Sequence, residues 1–405
     1  MIRSLLVYLK FILKSVLSPE ERNLIKREWA RTFNDKPTFK ESRDLKVDNF
    51  QITKSLYMAV EWLLRSQFNM TDYGFGSYRI GKGWTSSYPE TTGYIIPTLM
   101  TYAKIKNEHE IMNCCVKAAN WLVEIQKPSG GWQGETLHEK RPEVVFNTGQ
   151  IIRGLISVYE HNHDEKFLNS AIKAADWLCD IQEENGSWVK NAFMNVARVY
   201  DSYVDFPLLL LYKITKNERY KETAIKNLDW IIKEKQTPNG WFQDCDNTIK
   251  HNNKPILHTI AYTIDGLITS GVLLGRNDYI EAGQKAANKL LDRYNTNRFM
   301  HGRYDKNWNG SEYPILTGYA QMAINWMNLY HITQNKAYLN ASLEVNRQLV
   351  WLQRADDCSL ESVRGAISGS FPLWGKYEPF SYPNWATKYF VDALLLEVDE
   401  LKVQI

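Results

Sequence analysis

The stretch Ala118-Ala-Asn-Trp121-Leu-Val123 recurs as Ala174-Ala-Asp-Trp177-Leu-Cys179, and both belong to a larger set of similar phrases. The other members of the set are centred on Trp62, Trp230, Lys289 and Gln348, at intervals of 53 to 59 residues along the chain. Self-similarity at a near-constant period is the sequence signature of a repeat architecture. The chain is therefore predicted to contain six similar units.

Each unit is predicted to hold two helices of different character. The first is amphipathic: around Trp121, one helix face collects Ile111, Cys115, Ala118, Leu122 and Ile125. The second is apolar nearly all round, as in residues 206–212, and such a helix is buried on every side. An outer ring of amphipathic helices around an inner ring of buried helices satisfies both patterns. The fold class is predicted to be all-α, an (α/α)6 toroid of six helical hairpins that fills residues 49–405.

Residues 1–48 are predicted to form a separate N-terminal helical segment. Within residues 1–17, Lys10 and Lys14 interrupt an apolar run that is too short to span a bilayer and lacks a cleavage site. The pattern is that of a basic amphipathic helix, with Arg3, Lys10 and Lys14 on one side. It leaves two alternatives open: the helix lies on an anionic membrane surface, or it docks on the protein body.

Composition limits the partners and the compartment. The formal net charge is only +3 and no Lys/Arg block follows the first residues, so nucleic acid is not an expected partner. Five cysteines without a Cys-x-x-Cys pair favour a reducing compartment and no metal site. The predicted location is cytoplasmic, at the inner membrane face if the N-terminal helix binds lipid, and no cofactor is expected.

Two kinds of loop alternate along the chain. Short turns after each second helix contain asparagines such as Asn107, Asn217 and Asn335, which suit a left-handed helix cap. The longer loops carry Gly-Trp motifs or their variants and emerge on the opposite rim. Because function concentrates on variable loops held by a rigid scaffold, this second rim is the predicted functional surface.

The segment Gln126-Lys-Pro-Ser-Gly-Gly-Trp132, with its relatives ending at Trp188 and Trp241, resembles two groups of toroid proteins over roughly residues 50–400. One group is carbohydrate-active: unsaturated glucuronyl hydrolases, toroid polysaccharide lyases and the helical domain of glucuronyl C5-epimerases. The other group is the terpenoid cyclases. The stretch from Ser86 to Tyr94 and its echo from Glu312 to Tyr319 are similar to inner-helix starts of the sugar-processing group.

The cyclase resemblance is incomplete at its acid motif. Class II cyclases share Asp-x-Asp-Asp, and here only Asp244-Cys-Asp246-Asn247 is present, without the last carboxylate. The resemblance therefore favours an acidic or modified oligo- or polysaccharide as substrate. It implies lyase, epimerase or hydrolase chemistry.

Candidate site residues come from the loops and from polar positions at the starts of the apolar helices. Buried charges there need partners or a polar pocket. The predicted catalytic residues are Glu90, Asp201, His258, Tyr262 and Tyr313. The predicted substrate-binding residues are Trp132, Asn147, Trp188, Arg198, Trp241, Arg303, Trp374, Tyr377 and Lys388. The tryptophans would stack on sugar rings, while an arginine or lysine would hold a uronate carboxylate.

These residues lead to one principal hypothesis and two alternatives. The principal hypothesis is an enzyme that acts on an acidic glycan in the synthesis of a bacterial surface polysaccharide. The first alternative is a non-catalytic glycan-binding or scaffold toroid. The second is an enzyme of the terpenoid-cyclase kind, with Asp244 and Asp246 at the top of a dry cavity.

Overall fold

The structure, a computed structural model, describes residues 6, 8–12, 15–248, 250–353 and 360–405. Within these residues the helices that we number in chain order are α1 (Pro19–Phe33), α2 (Asn49–Phe68), α3 (Pro89–Lys106), α4 (His109–Glu124), α5 (Val145–Asn162), α6 (Glu165–Asp180), α7 (Ser202–Thr215), α8 (Glu218–Trp230), α9 (Leu257–Leu274), α10 (Asn277–Asn297), α11 (Leu316–Thr333), α12 (Lys336–Gln353) and α13 (Asn384–Glu400). A five-residue π-helical turn, Ile231–Lys235, extends α8.

The helices from α2 onward form two concentric rings. The odd-numbered helices α3 to α13 pack each against the next, and α13 packs against α3, which closes the inner ring. The even-numbered helices α2 to α12 form the outer ring, and α2 packs against α13. The predicted all-α (α/α)6 toroid is confirmed, and the repeated phrases all lie on the outer helices.

Small residues bring the inner helices close together. A side chain at Gly93 would collide with the backbone of Ile151 on the next inner helix, and one at Gly149 would collide with Val204. The threonine beside each glycine also has a structural role, because the hydroxyls of Thr92 and Thr148 accept hydrogen bonds from loop amides at 3.0 and 3.1 Å. The Thr-Gly pairs of the inner helices therefore serve packing.

Strands are short and confined to the loop rim. The strands β1 (Tyr78–Arg79), β2 (Gly83–Trp84) and β5 (Ser381–Tyr382) form one antiparallel sheet in the order β2-β1-β5. A second pair joins β3 (Arg303–Tyr304) to β4 (Gly310–Ser311). The sheet with β5 ties the loop before α3 to the loop before α13, across the seam where the ring closes.

The glutamine that ends an outer helix links three segments. The Nε2 of Gln182 donates to the carbonyl of Gly186 in its own loop at 2.9 Å and to that of Thr223 on the next outer helix at 2.8 Å. Gln126 makes the equivalent pair of bonds to Gly130 and Ser170. Since buried backbone carbonyls need donors, this repeated glutamine holds neighbouring units together.

We expect Gln182→Ala to lower the free energy of unfolding by about 2 kcal/mol, because two largely buried carbonyls lose their donor. Chemical denaturation would measure the change. The exposed Gln243, which is remote from this pair of bonds, supplies the control Gln243→Ala, with an expected change of about 0.5 kcal/mol or less. Equal effects of the two substitutions would contradict the bridging role.

The short turns use asparagine differently from the prediction. Asn107 does adopt the left-handed conformation, with φ 56°. In the later turns that position belongs to His163, Lys216 and Gln334. Asn217 instead caps the start of α8, where its side chain accepts from the amide of Arg219 at 3.2 Å. Asn335 likewise accepts from the amide of Ala337 at 3.0 Å, so two of the three predicted asparagines serve the following helix.

The N-terminal segment contacts the body through aromatic rings. Residues 8–12 are helical. Tyr8 lies 4.7 Å from Trp29, and Phe11 stacks on Phe380 at 3.7 Å between ring centroids. Leu6, Leu9 and Ile12 are exposed, whereas Arg3, Leu5, Leu13 and Lys14 lie outside the described residues.

These contacts support docking on the body for the residues that make them. Membrane association remains a prediction, and so does the domain boundary between residues 48 and 49.

Candidate active site

A cavity of about 210 Å³ opens on the loop rim, where the inner helices begin. Its wall consists of Tyr88, Glu90, Thr91, Tyr94, Glu135, Val144, Phe146, Asn147, Phe193, Tyr200, Asn247, His258, Thr259, Tyr262, Tyr377, Glu378 and Trp385. Most of these residues are aromatic, carboxylic or amide-bearing, which is the mixture that a pocket for a polar ring with apolar faces requires.

Successive turns of the inner helices give the cavity its depth. Glu90, His258 and Trp385 lie in the first turn of α3, α9 and α13, so their side chains reach the wall. Tyr262 lies one turn deeper on α9, and its ring contacts Tyr203 at 4.6 Å and Tyr389 at 5.8 Å. These tyrosines form an aromatic floor.

Charged residues lie one turn deeper again. Lys388 pairs with Asp392 at 2.6 Å, and its ammonium also lies 3.9 Å from the ring centre of Tyr389. Asp265 on α9 is close enough to Arg153 and Lys388 for both to lower its pKa, although burial is the larger effect and raises that pKa to about 6. Two carboxyls and two cations from α5, α9 and α13 therefore lie close together, next to the tyrosines of the floor.

Among the carboxyls of the cavity wall, Glu90 has the pKa that its surroundings shift most. Burial raises its pKa to about 7, opposed in part by a hydrogen bond from the Tyr88 hydroxyl and reinforced by the charge of Glu135. A carboxyl with this pKa is protonated in a large fraction of molecules at neutral pH. Glu90 can therefore donate a proton, as a general acid must.

Two further carboxyls lie towards the mouth. Glu135 is half-buried, and burial followed by the charge of Glu139 raises its pKa above the ordinary value. Glu378 pairs with Arg79 at 3.1 Å. Glu135 is less enclosed than Glu90, so it ionises more readily and is the better proton acceptor of the two.

His258 is buried and neutral. Burial lowers its pKa to about 4, while a hydrogen bond with Gln321 acts in the opposite direction. That bond joins Nδ1 to the Oε1 of Gln321 at 2.8 Å. With Oε1 as acceptor, the imidazole proton lies on Nδ1, and Nε2 keeps a lone pair for a substrate hydroxyl or water.

The tyrosines of the wall act as neutral groups. Burial raises the pKa of Tyr262 and Tyr377 well above 10. The Tyr262 hydroxyl is buried and has no hydrogen-bond partner among the described residues. A buried polar group without a partner is costly, so a ligand that reached this hydroxyl would gain a hydrogen bond.

Five predicted site residues meet in this wall: Glu90, Asn147, His258, Tyr262 and Tyr377. They come from α3, α5, α9 and the loop before α13, and only closure of the ring brings them together. Their roles in substrate binding and catalysis remain predictions.

The tryptophan prediction is corrected. Trp132, Trp188 and Trp374 are each 1% exposed and Trp241 is 7% exposed, so none offers a face to a sugar. The indole of Trp132 donates to the carbonyl of Leu122 at 2.7 Å, and that of Trp188 donates to Leu178 at 2.9 Å. These two indoles therefore anchor their loops to the preceding outer helix, whereas the Trp241 indole donates to the carbonyl of Tyr304 in a later loop at 3.2 Å.

The predicted cationic clamp is also corrected. Arg303 pairs with Asp246 at 2.9 Å and braces two loops, while Lys388 lies below the aromatic floor. Arg198 is 1% exposed and lies behind the wall rather than in it. No arginine or lysine occurs among the described residues that line the cavity.

Two predicted catalytic residues also lie elsewhere. Asp201 is buried outside the cavity wall, and burial raises its pKa to about 8 despite the charge of Arg198. Tyr313 is half-buried in the loop before α11 and does not line the cavity. The positions of both residues were inferred from sequence register, which does not report the direction of a side chain.

The acid motif of the cyclase alternative has structural roles. Asp246 is fully buried and accepts hydrogen bonds from the amide of Ile256 and from Arg303. Asp244 pairs with Lys235 at 2.9 Å. Neither carboxylate lines the cavity, so the observed site does not support terpenoid cyclisation.

The wall also contains residues that were not predicted from sequence, among them Tyr88, Glu135, Glu378 and Trp385. Tyr88 and Glu378 lie close in the chain to the predicted residues Glu90 and Tyr377, so their position in the sequence could have indicated that they also line the cavity. Glu135 stands three residues after Trp132, a position that holds Asn191 and Asp244 in the two following repeats.

Comparisons with known proteins agree with this fold. Residues 133–312 match the model of Glycosyl Hydrolase Family 88. An unsaturated glucuronyl hydrolase specific for heparin superposes with a TM-score of 0.70 at 14% identity, over 88% of this chain and 99% of that one. The unsaturated glucuronyl hydrolase from Streptococcus agalactiae gives a TM-score of 0.65 at 11% identity, over 92% of this chain and 98% of that one. The enzyme from Bacillus sp. GL1 gives a TM-score of 0.67 at 15% identity, over 87% of this chain and 98% of that one.

At these identities the superpositions establish the fold, and the family model supplies the relationship in sequence. The chain thus has the (α/α)6 toroid fold of these structures, and its residues 133–312 are similar to Glycosyl Hydrolase Family 88.

Proposed function

We propose that this protein is a hydrolase that removes the terminal sugar of an oligosaccharide, with Glu90 as its general acid. The proposal rests on one observation: a carboxyl with a pKa of about 7 lies in the wall of a small aromatic cavity at the mouth of the toroid. A positioned acid whose pKa is near the working pH is the requirement for protonating a leaving group.

The reaction needs a proton donor and a proton acceptor. Glu90 donates its proton to the substrate, Glu135 accepts a proton from the attacking water, and the oligosaccharide is released one sugar shorter. The difference in burial between the two carboxyls assigns these roles, because it separates their pKa values. His258 Nε2 and the Tyr262 hydroxyl hold sugar hydroxyls.

Oligosaccharides that end in an unsaturated uronyl residue are the first substrate class to test. The similar structures are named for hydrolysis of unsaturated glucuronyl substrates, and one Streptococcus agalactiae variant is complexed with dGlcA-GalNAc6S. In such a sugar the acid protonates one carbon of the ring double bond, and water adds to the carbon that bears the ring oxygen. The hemiketal formed there opens the ring, which leaves a hemiacetal at C1, and its collapse breaks the bond to the oligosaccharide, whose oxygen takes the proton. Without a lining cation, a uronate carboxylate must bind through neutral donors such as Tyr262.

Lyase and epimerase chemistry has less support from this site. Both reactions remove a proton beside a uronate carboxyl, which requires a base and a cation to neutralise that carboxyl. The raised pKa of Tyr262 and Tyr377 makes them poor bases at neutral pH. The comparisons give no support to a role in surface polysaccharide synthesis, and the cytoplasmic location remains a prediction.

Hydrolysis of a substrate panel tests the proposal. The panel contains unsaturated uronyl disaccharides and their saturated and neutral counterparts, and release of the terminal sugar is followed by chromatography. We expect turnover of at least one class by the wild-type protein and a kcat lower by about two to four orders of magnitude for Glu90→Gln. Binding of a glycan without turnover of any member would instead indicate a glycan-binding toroid.

The pH dependence of kcat should follow Glu90. The proton is present below the pKa of about 7 and absent above it, so kcat is expected to fall about tenfold for each pH unit above 7. Protonation of His258 below about pH 4 sets the acidic limit. A kcat that stays constant from pH 6 to about pH 8 would contradict Glu90 as the acid.

A further inference from the structure

Consecutive outer helices are tied together by a contact that recurs around the ring. The residue before the centre of the repeated phrase is Asp176 on α6 and Asp229 on α8. Each carboxylate accepts from the tyrosine that is the third residue of the next outer helix, at 3.0 Å from Tyr220 and at 2.6 Å from Tyr279. A phenol thus closes the space between α6 and α8 and between α8 and α10.

An arginine adds to both contacts. Arg219, the second residue of α8, lies 3.9 Å from Asp176 and also pairs with Asp180. Arg276, the N-cap of α10, pairs with Asp229 at 3.2 Å. Guanidinium–carboxylate pairs are among the stronger polar contacts in proteins. A tyrosine and an arginine therefore form the link between these outer helices.

The first two outer helices, α2 and α4, lack this link. Glu61 stands at the position of the aspartates, but the third residue of α4 is Ile111 instead of a tyrosine. The N-cap and the second residue of α4 are Glu108 and Glu110, at the two positions that hold arginine in the later units. In the part of the chain that the structure describes, none of these three carboxylates has a hydrogen bond or an ion pair.

The missing link leaves a groove of about 490 Å³ between α2 and α4. Four glutamates line it together with one arginine, Arg65, which donates to the backbone carbonyl of Glu361 at 3.0 Å. Burial raises the pKa of Tyr102 in the same wall to about 12, and the charges of Glu108 and Glu61 add to that effect. The carboxylates therefore lie close together, and the groove is acidic.

Aromatic side chains are exposed along this groove. Tyr57 is 54% exposed and Phe68 is 72% exposed, and both belong to the lining. Within the described residues of the other outer helices, α4 to α12, no large apolar side chain is exposed. Exposed apolar side chains that gather in a concave surface indicate an interaction site. The outer helix with the exposed aromatic residues is thus the one that lacks the link to its neighbour.

We propose that the groove between α2 and α4 is a docking site for a segment of a partner protein that carries an arginine beside a tyrosine. Charge complementarity defines this occupant, and so do the later units, where the same two side chains fill the equivalent space. The guanidinium pairs with the glutamates, the phenol donates to Glu61, and apolar side chains of the segment cover Tyr57 and Phe68. Tyrosine and arginine are also residues that often dominate the binding energy of interfaces.

Docking is independent of the proposed hydrolase activity, because the groove shares no residue with the wall of the first cavity among the described residues. A labelled synthetic peptide of residues 215–230 serves as the probe, since it carries Arg219 and Tyr220. The control peptide contains Arg219→Glu and Tyr220→Ile, which are the residue types of α4 at these positions.

Fluorescence anisotropy at low ionic strength measures the affinity of the protein for both peptides. We expect the wild-type protein to bind the Arg-Tyr peptide about tenfold more tightly than the control peptide, and added salt to reduce that difference. Equal affinities, or no binding of either peptide, would overturn the proposal.

Two variants locate the binding. The double substitution Glu110→Arg and Ile111→Tyr supplies the link from the chain itself, so it should raise the temperature of thermal unfolding and abolish the preference for the Arg-Tyr peptide. Glu61→Ala should reduce that preference about three- to tenfold without filling the groove. Glu124→Ala, at an exposed position at the end of α4, should leave it unchanged.

A preference that survives in both the double variant and Glu61→Ala would place the peptide elsewhere and contradict the docking site. Sedimentation velocity of the protein alone tests the other occupant, a second copy of this chain. If the wild-type protein forms dimers and the double variant does not, the groove binds a second copy, and the assignment to a separate partner is wrong.

Discussion

Replacing Glu90 by Gln is expected to lower kcat by about two to four orders of magnitude, the usual contribution of a general acid. Glutamine has the shape and polarity of a protonated glutamate but cannot release a proton to the substrate. Since a pKa of about 7 leaves Glu90 protonated in about half of the molecules at pH 7, the neutral glutamine is compatible with the site, and the variant should fold and bind substrate as wild type does. The measurement is kcat and KM for whichever glycoside the wild-type protein hydrolyses.

The chain supplies a closely matched control in Glu397. This residue is a buried glutamate on an inner helix, and burial raises its pKa to about 7, as it does for the half-buried Glu90. It accepts a hydrogen bond from Asn346 at 2.7 Å and lies outside the cavity wall. Glu397→Gln should keep wild-type kcat, so a similar loss in both variants would show that the Glu90 effect is not catalytic.

Replacing Trp188 by Ala is expected to lower the free energy of unfolding by about 3 to 5 kcal/mol. The indole is 1% exposed, and its N–H satisfies the carbonyl of Leu178 at 2.9 Å. The substitution removes that donor and leaves a cavity between the loop and the outer helix. Chemical denaturation followed by circular dichroism measures the change.

Trp385 supplies the contrasting variant. Its indole is half-buried in the cavity wall and donates to the Tyr377 hydroxyl at 3.0 Å. Trp385→Ala should cost less stability than Trp188→Ala and should weaken sugar binding. If the Trp188→Ala protein were as stable as wild type but bound sugar less tightly, the result would contradict the anchoring role and support stacking of Trp188 on a sugar.

The fold was predictable because its evidence is repeated. Six copies of one phrase reveal the period, and the two helix patterns distinguish the outer ring from the inner ring. Glu90 and His258 were found for a related reason: polar residues at the starts of apolar helices are conspicuous. Each repeat thus supports the interpretation of the others, and a wrong helix assignment in one unit would not change the predicted architecture.

The site was only partly predictable because its residues follow no repeat. A Gly-Trp motif is equally compatible with a buried anchor and an exposed platform, and only the packing around Trp132 and Trp188 decides between them. Glu135 and Phe193 lie in loops whose sequences differ from one repeat to the next. Their importance comes from contacts between loops, which a linear pattern does not record.

The contact between α13 and both α2 and α3 has a consequence for how the protein comes apart. Open arrays of helical repeats present two end units, which need polar caps and fray before the middle. In the described ring every hairpin has a neighbour on both sides, so no unit is an end. Unfolding should therefore require that contact between two neighbouring hairpins be lost first, and should then proceed as one cooperative event. Amide hydrogen exchange should accordingly occur at a common rate in the six inner helices.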